Sequence, residues 1–236
     1  MSIENYSMKF NSISISNKVF RDRIMIKFSF SLIFAGLMCI SANAFMYLPF
    51  TPIPITMQVL TVLISSLFLG SYWAAISQLE YILLGLSGLP VFSGFKSGIA
   101  ALIGPTGGYI IGFLMASFIV GFLYESFISN NNLSNNNFFS SNIKNLILKR
   151  GLLSEENRPF YLFILLSAGV VIIYICGYIH LLGFLFNFNK GLSFKDLLVK
   201  TWQLGVNPFI IIDLIKILII INIDKINKIS NSYKSL

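Results

Sequence analysis

The last apolar stretch of the chain reads Asn207-Pro-Phe-Ile-Ile-Ile-Asp-Leu-Ile-Lys-Ile-Leu-Ile-Ile-Ile-Asn-Ile223, and Asp213 and Lys216 are its only charged residues. A stretch of this kind predicts a membrane-spanning helix, in which ionisable residues mark a functional site by default. Residues three apart share a helix face, so both side chains are expected to point into one pocket. Two structural alternatives stay open: an ion pair that only fixes helix packing, and a lysine that reaches for the membrane surface.

The composition indicates an integral membrane protein. Of 236 residues, 56% are hydrophobic and 11% are charged, and the mean hydropathy is +0.79; soluble domains have about 25% charged residues. The formal net charge is +8, but the cations lie beside apolar spans, where they set orientation, so no nucleic-acid partner is expected. The single His180 and two cysteines in apolar segments predict no metal site, no cofactor and no disulfide framework.

Six apolar segments predict an all-α membrane domain of six transmembrane helices over residues 28–223. The predicted spans are Phe28–Tyr47, Ile55–Leu69, Tyr72–Leu86, Thr106–Phe127, Pro159–Leu185 and Pro208–Ile223. Residues 1–27 and 224–236 are interpreted as polar tails, and the Asn- and Ser-rich segment 129–157 as a linker between four spans and two.

The distribution of Lys and Arg predicts the orientation. If both termini lie on one side, that side collects Lys9, Lys18, Arg21, Arg23, Lys27, Lys144, Lys149, Arg150, Arg158, Lys225, Lys228 and Lys234. The opposite side holds Lys96, Lys190, Lys195 and Lys200. Because cytoplasmic connections carry the excess of positive charge, both termini are expected in the cytoplasm, or on the matching side of an organellar inner membrane.

A glycine-rich connection follows the third span, from Gly88 to Gly108, and Lys96 is its only charge. Glycine lets the backbone approach a ligand closely, and a single lysine there suits a carboxylate. The alternative is a lysine that merely faces water. The segment Gly94-Phe-Lys-Ser lacks the glycine spacing of a nucleotide-binding loop, so the chain is not expected to be an ATPase.

Other polar or small residues stand out in the first three spans. Gln58 is an amide among apolar residues and needs a partner that donates and accepts. Glu80 is an intramembrane charge that could face the cavity, pair with a helix end or contact a partner subunit. Small residues recur every fourth position at Ser31, Ala35 and Cys39, which favours close helix approach within the chain or against a docking partner.

Several ordered motifs resemble the BioY family, the biotin-binding S-component of energy-coupling factor transporters. They are Pro52-Ile-Pro-Ile-Thr-Met-Gln58, Tyr81-Ile-Leu-Leu-Gly-Leu-Ser-Gly-Leu-Pro-Val-Phe-Ser-Gly94, Gly104-Pro-Thr-Gly-Gly-Tyr109 and Pro208-Phe-Ile-Ile-Ile-Asp-Leu-Ile-Lys216. Three positions depart from the family pattern: Phe95 and Ser97 replace glycines in the loop around Lys96, and Ile212 precedes the aspartate where many members have glycine.

The resemblance implies a bundle like that of other S-components, which binds biotin from outside. Such a subunit delivers biotin by docking on an energy-coupling transmembrane subunit driven by two ABC-type ATPases. It also implies a set of substrate-binding residues: Gln58, Tyr81, Phe92, Lys96, Asp213 and Lys216. Biotin has ureido N–H donors for Asp213, oxygen acceptors for Lys216 and a valerate carboxylate for Lys96, while aromatic side chains cover its bicycle.

Two other classes of function remain to be weighed. A stand-alone carrier would move a proton on Glu80 or Asp213 together with biotin or another small vitamin. The inverted repeats common in such carriers are not evident in the sequence. An intramembrane enzyme is disfavoured, because the chain has one histidine and no convincing pair of nucleophile and base.

Overall fold

The computed structural model describes residues 3–127, 157–188 and 193–234. Helices dominate these residues, and one short strand pair joins two of them. In chain order the elements are α1 (Ile3–Asn43), β1 (Phe45–Met46), β2 (Ile55–Thr56), α2 (Gln58–Leu86), α3 (Ile99–Ile103), α4 (Gly107–Phe127), α5 (Arg158–Phe188), α6 (Phe194–Gly205) and α7 (Ile210–Lys234).

The two terminal helices extend beyond the predicted spans. Helix α1 begins at Ile3, although residues 1–27 were interpreted as a polar tail, and α7 continues to Lys234 through most of the predicted tail at 224–236. Neither extension contains a proline or a glycine, so nothing in the sequence breaks the helix. The predicted linker at 129–157 lies, except for its last residue, outside the described residues.

Five helical stretches among the described residues are long and apolar enough to cross a membrane. They are Ile24–Asn43, Gln58–Leu86, Gly107–Ser126, Arg158–Asn187 and Phe194–Lys225. The sequence predicted six spans, and the difference lies in the second stretch, where two predicted spans form one continuous element, α2. The chain is a mostly helical, multi-pass membrane protein.

Helix α2 reverses direction at Gly70, whose φ of 77° lies in the left-handed region that glycine tolerates. A straight helix would separate Gln58 from Tyr81 by about 35 Å. Instead, the Gln58 amide lies 3.0 Å from the Tyr81 hydroxyl, so the two halves, 58–69 and 71–86, are antiparallel neighbours. This break coincides with the predicted boundary between the second and third spans.

A carboxylate from α4 fixes the reversal. Glu125 accepts hydrogen bonds from the Ser71 backbone N–H at 3.2 Å and from the Ser71 hydroxyl at 2.8 Å. These bonds satisfy a donor that the broken helix leaves unpaired and place negative charge at the start of the second half. Gly121 allows the close approach of α4, because a Cβ there would lie 2.6 Å from the Ser71 Cα.

Small buried residues line the contact between the halves of α2 and its neighbours. Ser65, Ser66, Ala74 and Ser77 are fully buried, and each of the three serine hydroxyls donates to a backbone carbonyl of its own helix. Their small size permits close helix packing without leaving a polar group unpaired in the apolar core. Helix α2 therefore packs against both α1 and α4, and α4 packs against α5.

Helix α6 was not predicted as a separate element. It is amphipathic, with Leu197 and Thr201 buried and Phe194 and Trp202 about half exposed. The Tyr109 hydroxyl of α4 donates to the Gly205 carbonyl at its end, at 2.8 Å. The helix thus closes the end of the bundle from which α7 starts.

At the opposite end, Arg158 of α5 makes two parallel hydrogen bonds to Asp224 of α7, each 3.0 Å long. Both side chains are 27% exposed. The Tyr124 hydroxyl on α4 accepts a third, longer hydrogen bond from Arg158, at 3.4 Å. The Arg158–Asp224 pair and Tyr124 together connect three helices.

Candidate ligand-binding site

One face of α7 is buried and carries both charges. The buried residues are Phe209, Asp213, Lys216, Ile217 and Ile220, a spacing that forms one stripe along a helix. The isoleucines between them are largely exposed on the outside of the bundle. The prediction that the two charged side chains share one inward face is confirmed.

Asp213 and Lys216 form a buried ion pair. The Lys216 ammonium lies 2.7 Å from the Asp213 Oδ1, and the two side chains are 7% and 5% exposed. Each has a second partner: the Tyr174 hydroxyl of α5 donates to Asp213 Oδ2 at 2.6 Å, and Lys216 donates to the Thr56 carbonyl at 2.8 Å. Buried charges require such additional hydrogen bonds to offset lost hydration. The version in which Lys216 snorkels to a membrane surface is excluded by these contacts.

A chain of hydrogen bonds continues from Thr56 across the bundle. The Thr56 hydroxyl donates to the Gln58 side-chain oxygen at 3.1 Å, and the Gln58 amide donates to the Tyr81 hydroxyl at 3.0 Å. Tyr81 in turn donates to the Val91 carbonyl at 3.4 Å. The partner that the Gln58 amide was expected to need is therefore Tyr81. One polar network joins α5, α7, β2, both halves of α2 and the loop after it.

The short strand pair delivers Thr56 to Lys216. Phe45 pairs with Thr56 and Met46 with Ile55 in antiparallel register, while prolines at 49, 52 and 54 stiffen the intervening turn. The Thr51 hydroxyl ties that turn to the Leu204 carbonyl in α6, at 2.6 Å. The Thr56 carbonyl is consequently held in place as an acceptor for the buried ammonium.

These residues surround a cavity inside the bundle. It is lined by Ile53, Pro54, Thr56, Gln58, Val59, Tyr81, Ser93, Thr106, Tyr109, Ile110, Phe113, Ile173, Tyr174, Phe209, Asp213 and Lys216. Its free volume is about 50 Å³, room for a few water molecules. The mixture of apolar walls with a few convergent polar groups is typical of a small-molecule site.

Four of the six predicted substrate-binding residues line this cavity, namely Gln58, Tyr81, Asp213 and Lys216. Phe92 lies behind it: its ring is 2% exposed and packs edge-on against Tyr81, with the ring centres 5.4 Å apart. Lys96 is exposed on the loop and is not part of the lining. The structure thus brings four of the predicted residues together and leaves Phe92 as support and Lys96 outside.

The small residues predicted as a docking stripe on α1 differ in their burial. Ser31 and Ala35 are 0% and 1% exposed and face α2, and Cys39 is half-buried against the same core. The Ser31 hydroxyl donates to Glu80 at 2.8 Å. Ser31 and Ala35 therefore pack within the chain, one of the two alternatives left open by the sequence, and a docking role for Cys39 stays a prediction.

Glu80 lies away from the cavity and not in its lining. Its described partner is the Ser31 hydroxyl on α1, so the role in the cavity lining is not observed, and contact with a partner subunit stays a prediction. Its second oxygen, Oε2, is buried without a hydrogen-bond partner among the described residues.

Two important contacts were missed by the sequence-based choice of site residues. Tyr174 was not among the predicted substrate-binding residues, yet its hydroxyl donates directly to Asp213. Thr56 contributes through its backbone carbonyl, which no side-chain pattern indicates. For Tyr174 a signal existed, because a tyrosine hydroxyl in an apolar span needs a partner, and Asp213 was the nearest unsatisfied acceptor to expect.

Fold and site together define a multi-pass membrane protein that encloses a cavity lined by a buried, hydrogen-bonded ion pair. Comparison with known proteins makes the assignment specific. The model of the BioY family matches residues 15–231, so the chain belongs to the BioY family. The resemblance found in the sequence motifs is confirmed.

Two relatives show how far the likeness extends. The probable biotin transporter BioY of Pyrococcus horikoshii is 36% identical over 165 residues, which cover 70% of this chain and 74% of that protein. The biotin transporter BioY of Thermotoga maritima is 43% identical over 86 residues, or 36% of this chain. That second match spans about half of the relative, 51% of its length.

A solved structure shares the fold. The crystal structure of the S-component for biotin from an ECF-type ABC transporter superposes with a TM-score of 0.59 and 22% sequence identity. The match covers 86% of this chain and 93% of that chain. The expected S-component-like bundle is therefore the fold of this protein.

Proposed function

We propose that this protein is the biotin-binding membrane subunit of an energy-coupled vitamin uptake system. The observation that carries the proposal is the Asp213–Lys216 pair on the floor of a membrane-enclosed cavity, in a chain that belongs to the BioY family. Relatives that share this family membership are named biotin transporters. The chain itself supplies binding, and energy comes from elsewhere.

The chemistry of biotin matches the lining. A ureido ring donates two N–H groups and accepts at one oxygen, so Asp213 accepts from the ring and Lys216 donates to its oxygen. The apolar bicycle packs against the aromatic wall formed by Tyr109, Phe113 and Tyr174. Gln58 and Tyr81 provide further polar contacts, Phe92 supports Tyr81, and Lys96 attracts the valerate carboxylate from the exposed loop.

The orientation follows from charge. With six crossings, counted by dividing α2 at Gly70, both termini lie on one side, and the connections on that side carry the excess of Lys and Arg. That side is the cytoplasm of a cell whose plasma membrane holds the protein. The cavity then opens outward, and the inner ends of the helices face the partner subunits.

The partners are an energy-coupling transmembrane subunit and two ABC-type ATPases. The sequence has no glycine-rich nucleotide loop of its own, so ATP-driven delivery depends on them. The S-component fold supports this division of labour, since the solved neighbour is described as a component of an ECF-type ABC transporter.

The direct test is ligand selectivity of the purified, full-length protein in nanodiscs. We expect saturable one-to-one binding of biotin, with thiamine and riboflavin failing to compete at a hundredfold excess. Absence of biotin binding, or equal competition by the other two vitamins, would overturn the proposal.

A proton-coupled carrier is the second candidate, and the unpartnered buried oxygen of Glu80 is the observation in its favour. It is tested in proteoliposomes that contain this chain alone. We expect no biotin accumulation when a pH gradient is imposed. Gradient-driven accumulation that Glu80→Gln abolishes would establish the carrier instead.

A further inference from the structure

The loop hairpin at residues 92–96 holds one polar group inside the cavity that no partner satisfies. Four buried side-chain oxygens lack a hydrogen-bond partner among the described residues: Gln78 Oε1, Glu80 Oε2, Ser93 Oγ and Ser167 Oγ. Among these four, only Ser93 lines the cavity. Leaving a buried hydroxyl unpaired costs about 1–3 kcal/mol, so a hydroxyl in that position calls for a partner that arrives with the ligand.

The backbone around Ser93 is held from both sides. Phe92 and Lys96 exchange two backbone hydrogen bonds of 3.0 and 3.2 Å, which close the hairpin. The Phe92 ring fills the space that Gly85 leaves open, since a Cβ at Gly85 would overlap it. On the other side, the Asn43 side-chain oxygen accepts from the Phe95 backbone N–H at 3.0 Å. The hydroxyl of Ser93 is thus positioned by a fixed turn.

Ser93 adjoins the end of the polar network opposite to Asp213. The hydrogen-bond chain runs from Asp213 through Lys216, Thr56 and Gln58 to Tyr81, and Tyr81 packs against Phe92, the residue before Ser93. The floor on α7 already combines an acceptor and a donor suited to a ureido ring. Ser93, in contrast, shares its hairpin with the cation Lys96, so the potential at this end favours an anionic group.

Resting on the proposed function, the geometry points to Ser93 as a specificity-determining residue whose hydroxyl donates to the carboxylate of biotin. Lys96, outside the lining, attracts the carboxylate, and Ser93 binds it. A hydroxyl is a compact donor to a charged oxygen, and such a charge-assisted bond is stronger than one between neutral groups. Ligands of the same ring system that lack the carboxylate forfeit this contact.

The test combines two ligands with two variants of the full-length protein in nanodiscs. The ligands are biotin and biotinol, in which a CH₂OH group replaces the carboxylate. Ser93→Ala should weaken biotin binding about tenfold or more, the range expected for a hydrogen bond to a charged group. Its effect on biotinol should stay below about threefold. Ser167→Ala, which removes another unpartnered hydroxyl remote from the cavity lining, should leave both affinities unchanged.

The outcomes separate this inference from the proposed function. Because Ser93→Ala removes an unpartnered hydroxyl, its melting temperature should equal or exceed that of the wild type. Unchanged biotin affinity in Ser93→Ala, or equal losses for biotin and biotinol, would overturn the assignment of Ser93 while leaving biotin binding intact. Failure of the wild type to bind biotin would overturn both.

Discussion

Helix α7 contributes an aspartate to each of two ion pairs, which differ in burial and in the helices that they connect. Asp213 pairs with Lys216 three residues along the same helix, and both side chains are at most 7% exposed. Asp224 pairs with Arg158 of another helix, and both are 27% exposed. Each pair also has a tyrosine partner, Tyr174 for Asp213 and Tyr124 for Arg158.

The difference supports the proposal that the Asp213–Lys216 pair serves a ligand, whereas the Arg158–Asp224 pair serves the fold. The Arg158–Asp224 pair joins α5 to α7 through two parallel hydrogen bonds, so it contributes directly to helix packing. The Asp213–Lys216 pair lies within one turn of one helix and reaches α5 and β2 through Tyr174 and Thr56. The attraction within such a buried pair hardly offsets the free energy lost when both charges leave water. The place of this pair in the lining of a cavity gives it a purpose that packing does not.

The largest expected contrast is between the two aspartates. Asp213→Asn should weaken biotin binding by roughly ten- to a hundredfold, because a charge-assisted hydrogen bond contributes about 1.5–3 kcal/mol. The matched variant Asp224→Asn should bind biotin as the wild type does. Calorimetric titration of both measures the contrast, and similar losses in the two variants would mean that the pairs do not differ in role.

The two tyrosines offer a smaller contrast. Tyr174→Phe removes the hydroxyl that orients Asp213 Oδ2, and biotin affinity should fall about fivefold. Tyr124→Phe removes only a 3.4 Å contact to Arg158 and should leave the affinity unchanged. Equilibrium binding of radiolabelled biotin distinguishes them. A loss in Tyr124→Phe as large as that in Tyr174→Phe would contradict the division.

For stability we expect a change in the Arg158–Asp224 pair to have a clear effect. Arg158→Met breaks a bidentate but partly exposed pair, and we expect a loss of about 1 kcal/mol of stability. The melting temperature of Arg158→Met in detergent should fall. Lys225 is an exposed cation next to Asp224, and the control variant Lys225→Met should show no shift in melting temperature. If Arg158→Met has the melting temperature of the wild type but a lower biotin affinity, the Arg158–Asp224 pair has a role in binding, contrary to the division of roles between the two pairs.

The smallest effect concerns Lys96. Because its side chain is exposed and outside the cavity lining, Lys96→Ala should slow biotin association about threefold at low salt and leave dissociation unchanged. The effect should vanish in high salt, since exposed charges are screened. Stopped-flow association at two ionic strengths tests this. A dissociation rate raised tenfold would instead mean direct contact with the ligand.

The charged face of α7 could be predicted from the sequence because helical periodicity fixes which residues share a face. The reversal at Gly70 was also predictable as a boundary between spans, since glycine there interrupts an apolar run. The extent of α1 and the existence of α6 were not. Helix propensity continues past the apolar segment, and an amphipathic helix with three charges looks like an ordinary connection.

Within the site, the difference between foreseen and unforeseen contacts has a physical cause. Four site residues can be recognised in the sequence because they are polar side chains in apolar spans or in family motifs: Gln58, Tyr81, Asp213 and Lys216. The Thr56 carbonyl is a backbone atom, so its role depends on the register of β1 and β2. Lys96 was placed by sequence position alone, and the hairpin that turns it outward depends on tertiary packing of Phe92.

The most direct test of the account replaces the whole buried pair by apolar groups of similar size. Exchanging a buried ion pair for well-packed apolar residues is often neutral or stabilising, so Asp213→Leu combined with Lys216→Met should still fold. Its melting temperature should be somewhat lower than that of the wild type, because the Tyr174 hydroxyl and the Thr56 carbonyl lose their partners. Calorimetric titration should then detect no biotin binding by this variant, although the wild type binds one molecule. Equal biotin affinity in the folded double variant would show that the pair is structural and would contradict the account.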